Sequence, residues 1–227
     1  MHKIDRSTVQ PPGCLETHDY RTQSWSNLAP ECKRTIRSTL VQMQGKPGVT
    51  IPGENEYDLL CAYCEGRILH EGHIEHFRRK NEEHFPQLTF KWQNLFLACG
   101  SREHCGHYKD RPGAPAYNPD NLIKPDEHNP DQYLYFHSSG EVRPRSNLSA
   151  DKEIRATETI RVFGLDSAAL TGHRCQALKI YKRKIIEDLD ILASWPEQER
   201  EQYLADEIEA TRWEPYTTTI KHFLQRN

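Results

Sequence analysis

Apolar side chains are spaced along this chain in patterns that change from segment to segment. From Pro30 to about Gln44, Ile36, Leu40, Val41 and Met43 recur near helical spacing and Gly45 follows as a stop, which predicts a helix. Before it, residues 1 to about 27 carry Pro11, Pro12 and Gly13 but few apolar positions, the pattern of an irregular arm ordered only against a partner or the body. After it comes the turn-rich stretch K-P-G-V-T-I-P-G, and residues 54–60 lead into a cysteine pair. Over residues 61–110, short β-type runs broken by E-G turns give way to the apolar run 92–98 and then a polar stretch, which predicts a β-hairpin and a short helix ending before Pro112. Residues 111–147 hold six of the 14 prolines and one strand candidate at 133–136, as a connecting region would.

Beyond Ser149 the composition turns charged and helix-favouring. A first helix ends near Gly164, and a second starts with Asp166 or Ser167 as its N-cap. Leu170, Ala177, Tyr181, Ile185, Leu189 and Leu192 form the apolar stripe of the second. A third spans 196 to about 212, with Pro196 inside its first turn, where the missing N–H costs nothing. The fold class is therefore α+β and mainly helical. It divides into an N-terminal arm and helix (1–56), a cysteine- and histidine-rich core (57–110), a proline-rich connection (111–148) and a helical C-terminal region (149–227).

At 227 residues the chain can bury a sizeable core. Its net charge of -3 gives no global attraction to phosphate backbones, so nucleic-acid binding must be local or shared with a partner. No run of about 18 apolar residues exists and M-H-K-I-D-R lacks the apolar stretch of a secretory signal. These features exclude a membrane span and lead to the expectation of a cytoplasmic protein. Seven cysteines in that compartment are not expected to form a disulfide framework, and Cys14, Cys32 and Cys175 read as scattered, small buried hydrophobes.

The other four have metal-site spacing. Cys61 and Cys64 form a C-x2-C knuckle that sets two sulfurs on one side of a zinc ion, while Cys99 and Cys105 supply two more thiolates at a looser spacing, with His104 as an alternative fourth ligand. Between the pairs lie Glu75 and His76, which a strand would point to opposite faces, so that one can reach a metal and the other a water. Imidazole titrates near operating pH, which makes His76 the candidate general base. Asn94, in the apolar run W-Q-N-L-F-L, must find hydrogen-bond partners: it bonds the backbone, touches a catalytic metal or fixes the tautomer of His76. His107 or His104 is the candidate third element. His70 and His73, three residues apart and close to His76, have outer or surface roles, though His73 can face the site. His18, His84, His128, His137, His173 and His222 show no partner pattern.

The strings I-E-H-F, W-x-N-L and H-C-G-x-x-K resemble the HNH endonuclease family of PtuB type, the nuclease component of Septu and some retron anti-phage systems. The resemblance rests on Cys61, Cys64, Ile74, Glu75, His76, Phe77, Trp92, Asn94, Leu95, Cys99, His104, Cys105, Gly106 and Lys109, about fifty residues of chain. It implies a ββα-metal core on a zinc scaffold, with His76 activating water and one Mg2+ or Mn2+ held near Glu75 and Asn94 for phosphodiester hydrolysis. It also implies a PtuA-like ATPase of the ABC or SMC type as partner, a nucleic-acid substrate, and in some systems a retron reverse transcriptase with its msDNA. Three departures stand out. Glu75 replaces the usual Asp before the base, Gly106 takes the expected third-element ligand place with His107 displaced by one, and F-R-R-K replaces F-R-P-K. Alternative readings are a non-catalytic zinc-stabilised adaptor of such a complex and an RNA- or tRNA-directed toxin. The basic strip 174–184 reads as a phosphate groove, a solvated face or a partner contact.

Overall fold

The computed structural model describes residues 1–46, 59–68 and 72–225, the side chains of 185–190 excepted. The turn-rich linker after Lys46, residues 54–58, His70 and the stripe positions Ile185 and Leu189 lie outside the described residues. The molecule is mixed α+β, about 48% helical, with small antiparallel sheets. Its helices are α1 (Pro30–Gln44), α2 (Cys105–Lys109), α3 (Ala150–Phe163), α4 (Ala168–Ser194), α5 (Glu197–Ala210) and α6 (Thr217–Leu224). Strands pair two by two: β1 (Leu59–Leu60) with β2 (Arg67–Ile68), β3 (His73–His76) with β4 (Leu95–Ala98), and β5 (Leu134–Phe136) with β6 (Val142–Pro144).

The apolar stripe of α1 dictates where this helix lies. Ile36 and Leu40 are completely buried, and at its C-terminal end the Gln44 amide donates to Leu97 O (3.1 Å) and accepts from Leu97 N (2.7 Å). That side chain therefore does for the outer edge of β4 what another strand would do, satisfying backbone groups that are buried away from water. All four residues of β4 are buried, and the strand runs through the middle of the main hydrophobic cluster. This cluster draws residues from the arm, α1, the two central strands, the connecting region and α3, so the four segments read from sequence share one core. A smaller cluster of Leu178, Leu192, Ile220 and Leu224 joins α4 to α6.

The arm is ordered against the body. Met1, Ile4, Leu15 and Leu28 are buried in the main cluster, with 3-10 turns at Arg6–Thr8, Gly13–Leu15 and Trp25–Asn27 between them. Arg6 lies over the Phe96 ring at 4.4 Å, donates to Trp92 O (3.1 Å) and Leu95 O (2.8 Å), and pairs with Asp126. Contrary to the reading of Cys14 and Cys32 as separate buried hydrophobes, the two are joined in a disulfide with their Cα atoms 6.0 Å apart. The sequence separation of 18 concealed the pair, because the arm has no periodicity from which its return to α1 could be inferred.

The C-terminal helices follow their caps. Gly164 is left-handed (φ 58°) at the end of α3, and the Ser167 hydroxyl accepts from Leu170 N at the start of α4. Pro196 stands at the N-cap of α5, one position earlier than expected. Helix α6 was not foreseen; Tyr216, left-handed at φ 62°, turns the chain into it, and Ile220 and Leu224 pack it down. Arg174 is no part of a solvated strip: it is buried against Phe136 and donates to Gly140 O (3.2 Å) and Leu165 O (2.8 Å). No described helix is long and apolar enough to cross a membrane.

Candidate metal centre and active site

Cys61 and Cys64 sit in the tight turn between β1 and β2, which closes through Cys61 N to Gly66 O (2.9 Å) and Glu65 N to Cys61 O (3.1 Å), with Glu65 left-handed at φ 64°. Cys99 leaves the end of β4, and Cys105 opens α2. The Sγ atoms of Cys61 and Cys105 are 3.7 Å apart and those of Cys64 and Cys99 are 3.9 Å apart. Zn–S bonds of about 2.3 Å in a tetrahedron require sulfur separations of roughly 3.8 Å, so the four thiols fit a zinc ion. Gly66 N donates to Cys64 Sγ and Cys99 N to Cys61 Sγ, both at 3.3 Å, as amides do toward sulfur that carries negative charge. Burial pushes the Cys105 thiol well above its ordinary range and the neighbouring sulfurs push it further, so four thiolates require a cation among them. His104, its Nδ1 3.2 Å from Cys105 Sγ, lies outside this set of four ligands. Among the described residues this is the one group of three or more Cys, His, Asp or Glu whose ligand atoms converge within 4.8 Å.

Strand β3 carries Glu75 and His76 opposite Phe96 and Leu95 of β4, and α2 follows β4 after the Cys99–Cys105 turn. Adjacent strand residues point to opposite sides, and the contacts show it. The Glu75 carboxylate faces α2: Oε1 is 2.9 Å from Lys109 Nζ, and Oε2 is 3.0 Å from His73 Nε2. Burial alone would raise its pKa, but the Lys109 ammonium and the His73 ring outweigh this and hold the carboxyl down at about 2. Gly106 makes room for it. A Cβ at that position would come within 2.4 Å of Glu75 Oε2, which explains a glycine where the resemblance leads one to expect a ligand. Lys109 is fully buried and also donates to His76 O (3.1 Å) and Asp110 Oδ1 (2.7 Å), so it locks α2 to β3.

His76 points the other way. Its Nε2 lies 3.0 Å from the Thr89 carbonyl, which can only accept, so Nε2 carries the proton and Nδ1 keeps the lone pair. The Trp25 ring stands edge-on to it with centroids 4.5 Å apart. Burial and the nearby Lys80 charge lower the His76 pKa to about 4, so the ring is neutral at neutral pH.

Asn94 is buried and wholly engaged with backbone. Its Oδ1 accepts from Arg78 N (2.8 Å), while Nδ2 donates to Arg78 O (3.0 Å) and Leu88 O (3.3 Å). The amide thus pins both ends of the long loop between β3 and β4, the backbone-bonding option among those the sequence left open. His107 is exposed at the cleft and stacks on His73 at 4.0 Å between ring centroids.

Glu75, His76, His73 and His107 line a cleft of about 1130 Å³, whereas Asn94, a loop anchor, is not among its lining residues. Arg79, Lys80 and Arg111 also line the cleft, together with arm residues, Tyr20, Arg21 and Trp25 among them. Sequence reasoning missed these. Their one signal was the density of aromatic and basic residues in an arm otherwise short of apolar positions. No protein-family model matches the chain, and no curated protein matches it.

Proposed function

We propose that this chain is a metal-dependent HNH-type nuclease that hydrolyses phosphodiester bonds, built on a zinc tetrathiolate. The observation that carries this reading is one β3–β4–α2 unit in which an ionised carboxylate and a neutral, tautomer-fixed imidazole leave adjacent positions of one strand and line the same cleft. Nδ1 of His76 is the atom that takes the proton from the attacking water, and Thr89 O holds the ring in the required orientation. Glu75, with His73 against its Oε2, would hold a Mg2+ or Mn2+ ion through its carboxylate, the donor type that suits these metals. When bound, that ion supplies positive charge for the scissile phosphate and the leaving oxygen. Asn94 acts as a positioning residue, since both atoms of its amide are committed to the loop backbone. An ABC- or SMC-type ATPase partner and a role in anti-phage defence, with or without a reverse transcriptase and its msDNA, belong to this proposal through the sequence resemblance, and a cytoplasmic setting belongs to it through the hydropathy of the sequence.

The adaptor reading has one observation in its favour: a buried lysine already neutralises Glu75. Incubation of the chain with single-stranded DNA, duplex DNA and tRNA in Mn2+ and in Mg2+ separates the readings. Cleavage of at least one substrate is expected, and His76→Ala should lower its rate at least about a hundredfold while zinc content stays unchanged. A wild-type chain that cuts none of the three, with the ATPase present as well, leaves the adaptor.

A further inference from the structure

The cleft is lined by two chemically different sets of residues. Among its cationic lining residues, Lys80 lies close enough to His76 for its charge to lower that ring's basicity, and the guanidinium of Arg79 stacks at 4.7 Å over Tyr117 while bonding Asp110 Oδ1 at 3.0 Å. Arm residues supply rings to the same cleft. Tyr20 is 36% exposed, a large apolar surface left open to water, with the Arg21 guanidinium 5.2 Å over its ring. Trp25 is half-buried and meets His76 edge-on, so its indole borders both the general base and the cleft.

This aromatic wall is held in place. Leu15 and Leu28, buried in the main core, anchor the chain on either side of it, and the Cys14–Cys32 disulfide fastens the same loop to α1. Between the anchors, Ser24 N donates to Asn27 Oδ1 (2.6 Å) and fixes the turn that carries Trp25. A surface tyrosine on a floppy arm would need no explanation, but two rings on a doubly anchored and cross-linked loop, lining one cleft together with Arg21, Arg79, Lys80 and Arg111, call for a ligand with flat apolar faces and negative charge.

We propose, resting on the nuclease reading, that the arm is the base-binding wall of the cleft: Tyr20 and Trp25 take unpaired bases of a single-stranded nucleic acid, whose phosphates run toward Lys80 and His76. Stacking on an aromatic ring needs an exposed base face, which a paired duplex does not offer along its length. Stacking is tolerant of sequence, and a chain with net charge -3 gains from it where long-range attraction to phosphate is lacking.

The test separates binding from cleavage. Fluorescence anisotropy is measured on the full-length His76→Ala chain, oxidised at Cys14–Cys32, with labelled 12-mers as single-stranded DNA, as RNA of the same sequence and as duplex DNA. Single strands are expected to bind at least about tenfold more tightly than duplex, and Tyr20→Ala and Trp25→Ala are each expected to weaken them by about tenfold. Trp25→Phe should recover most of the loss, and unchanged zinc content and circular dichroism show that the variants fold. Preferential binding of duplex, no binding of any oligomer, or single-strand affinities that stay within twofold in both alanine variants would each overturn the proposal. The DNA and RNA arms identify the sugar. Cleavage by the chain with His76 intact is scored separately, so wall-dependent binding without hydrolysis refutes the nuclease reading alone, and hydrolysis with wall-independent binding refutes the wall alone.

Discussion

In the proposed reaction His76 serves as a base only while its ring is uncharged, and the same burial that keeps it uncharged makes it a liability in acid. Its folded pKa of about 4 lies below the value near 6.5 of an unfolded histidine. The neutral buried ring therefore contributes stability that is fully present above pH 6.5 and is lost as the pH falls toward 4, because there the unfolded chain binds the proton more tightly. The loss reaches roughly 2–3 kcal/mol at pH 4.5. Urea unfolding at pH 7 and pH 4.5 should show wild type losing that much more than His76→Gln, since every other titrating group is common to both chains. Equal losses would mean that the ring is not buried neutral. What was legible at this scale was chemistry with local spacing. Cys61 and Cys64 reveal themselves by a two-residue gap, and Glu75 and His76 by adjacency inside a motif. Trp25 and Cys14 were not legible, because their partners lie elsewhere on the chain and are brought close by single buried leucines, which leave no periodic trace.

The elements divide in the same way. Helix α1 was readable from its stripe and stop, and α3 and α4 from Gly164 and Ser167, because propensity and caps act within one turn. Helix α6 was not, since its eight residues T-T-T-I-K-H-F-L begin with three β-branched threonines and become helical by packing Ile220 and Leu224 on α4. The strand pairs are two to four residues long, too short to stand alone in water, and β1–β2 does little but present two cysteines. Such elements depend on a cross-link. Structural zinc contributes about 10–16 kcal/mol in small sites, as much as the whole stability of an ordinary domain. Metal analysis should find one zinc per chain, and Cys61→Ser or Cys105→Ser should lower that content. Chelation should then unfold the β1–β2 turn and α2 together and drop the melting temperature by more than about 10 °C. A chelated chain that melts like the untreated one would exclude zinc as the scaffold.

On the scale of the whole molecule, one side chain connects the Cys61–Cys64 turn to both remote ends of the fold. Glu65 lies between Cys64 and Gly66, and its buried carboxylate takes the Met1 α-ammonium at 3.1 Å, Thr218 N at 3.1 Å and the Thr218 hydroxyl. Its carbonyl accepts from Tyr216 N at 3.0 Å, which sets the start of α6. From there α6 carries the buried His222, whose Nδ1 accepts from Phe136 N (3.0 Å) and whose Nε2 meets Asp131 Oδ1 (2.6 Å), so the β5–β6 pair is braced through the same helix. Burial would push the Glu65 carboxyl up, but the ammonium, His2 and Thr218 outweigh it and hold it far below the carboxylate range, so it is ionised at every ordinary pH. Glu65→Gln keeps the shape and removes the charge, leaving a buried ammonium unpaired at a cost of about 3–5 kcal/mol. Because the sulfurs are untouched, zinc content should stay at one per chain while the melting temperature falls. Hydrogen exchange should quicken at the amides of Thr218, Ile220 and Phe136, which the hub supports, and stay slow at Leu97, which Gln44 holds from α1. Uniform acceleration across all four amides would show that Glu65 merely adds to global stability; acceleration at the first three alone would show that the Cys61–Cys64 turn docks the C-terminal helix as a unit.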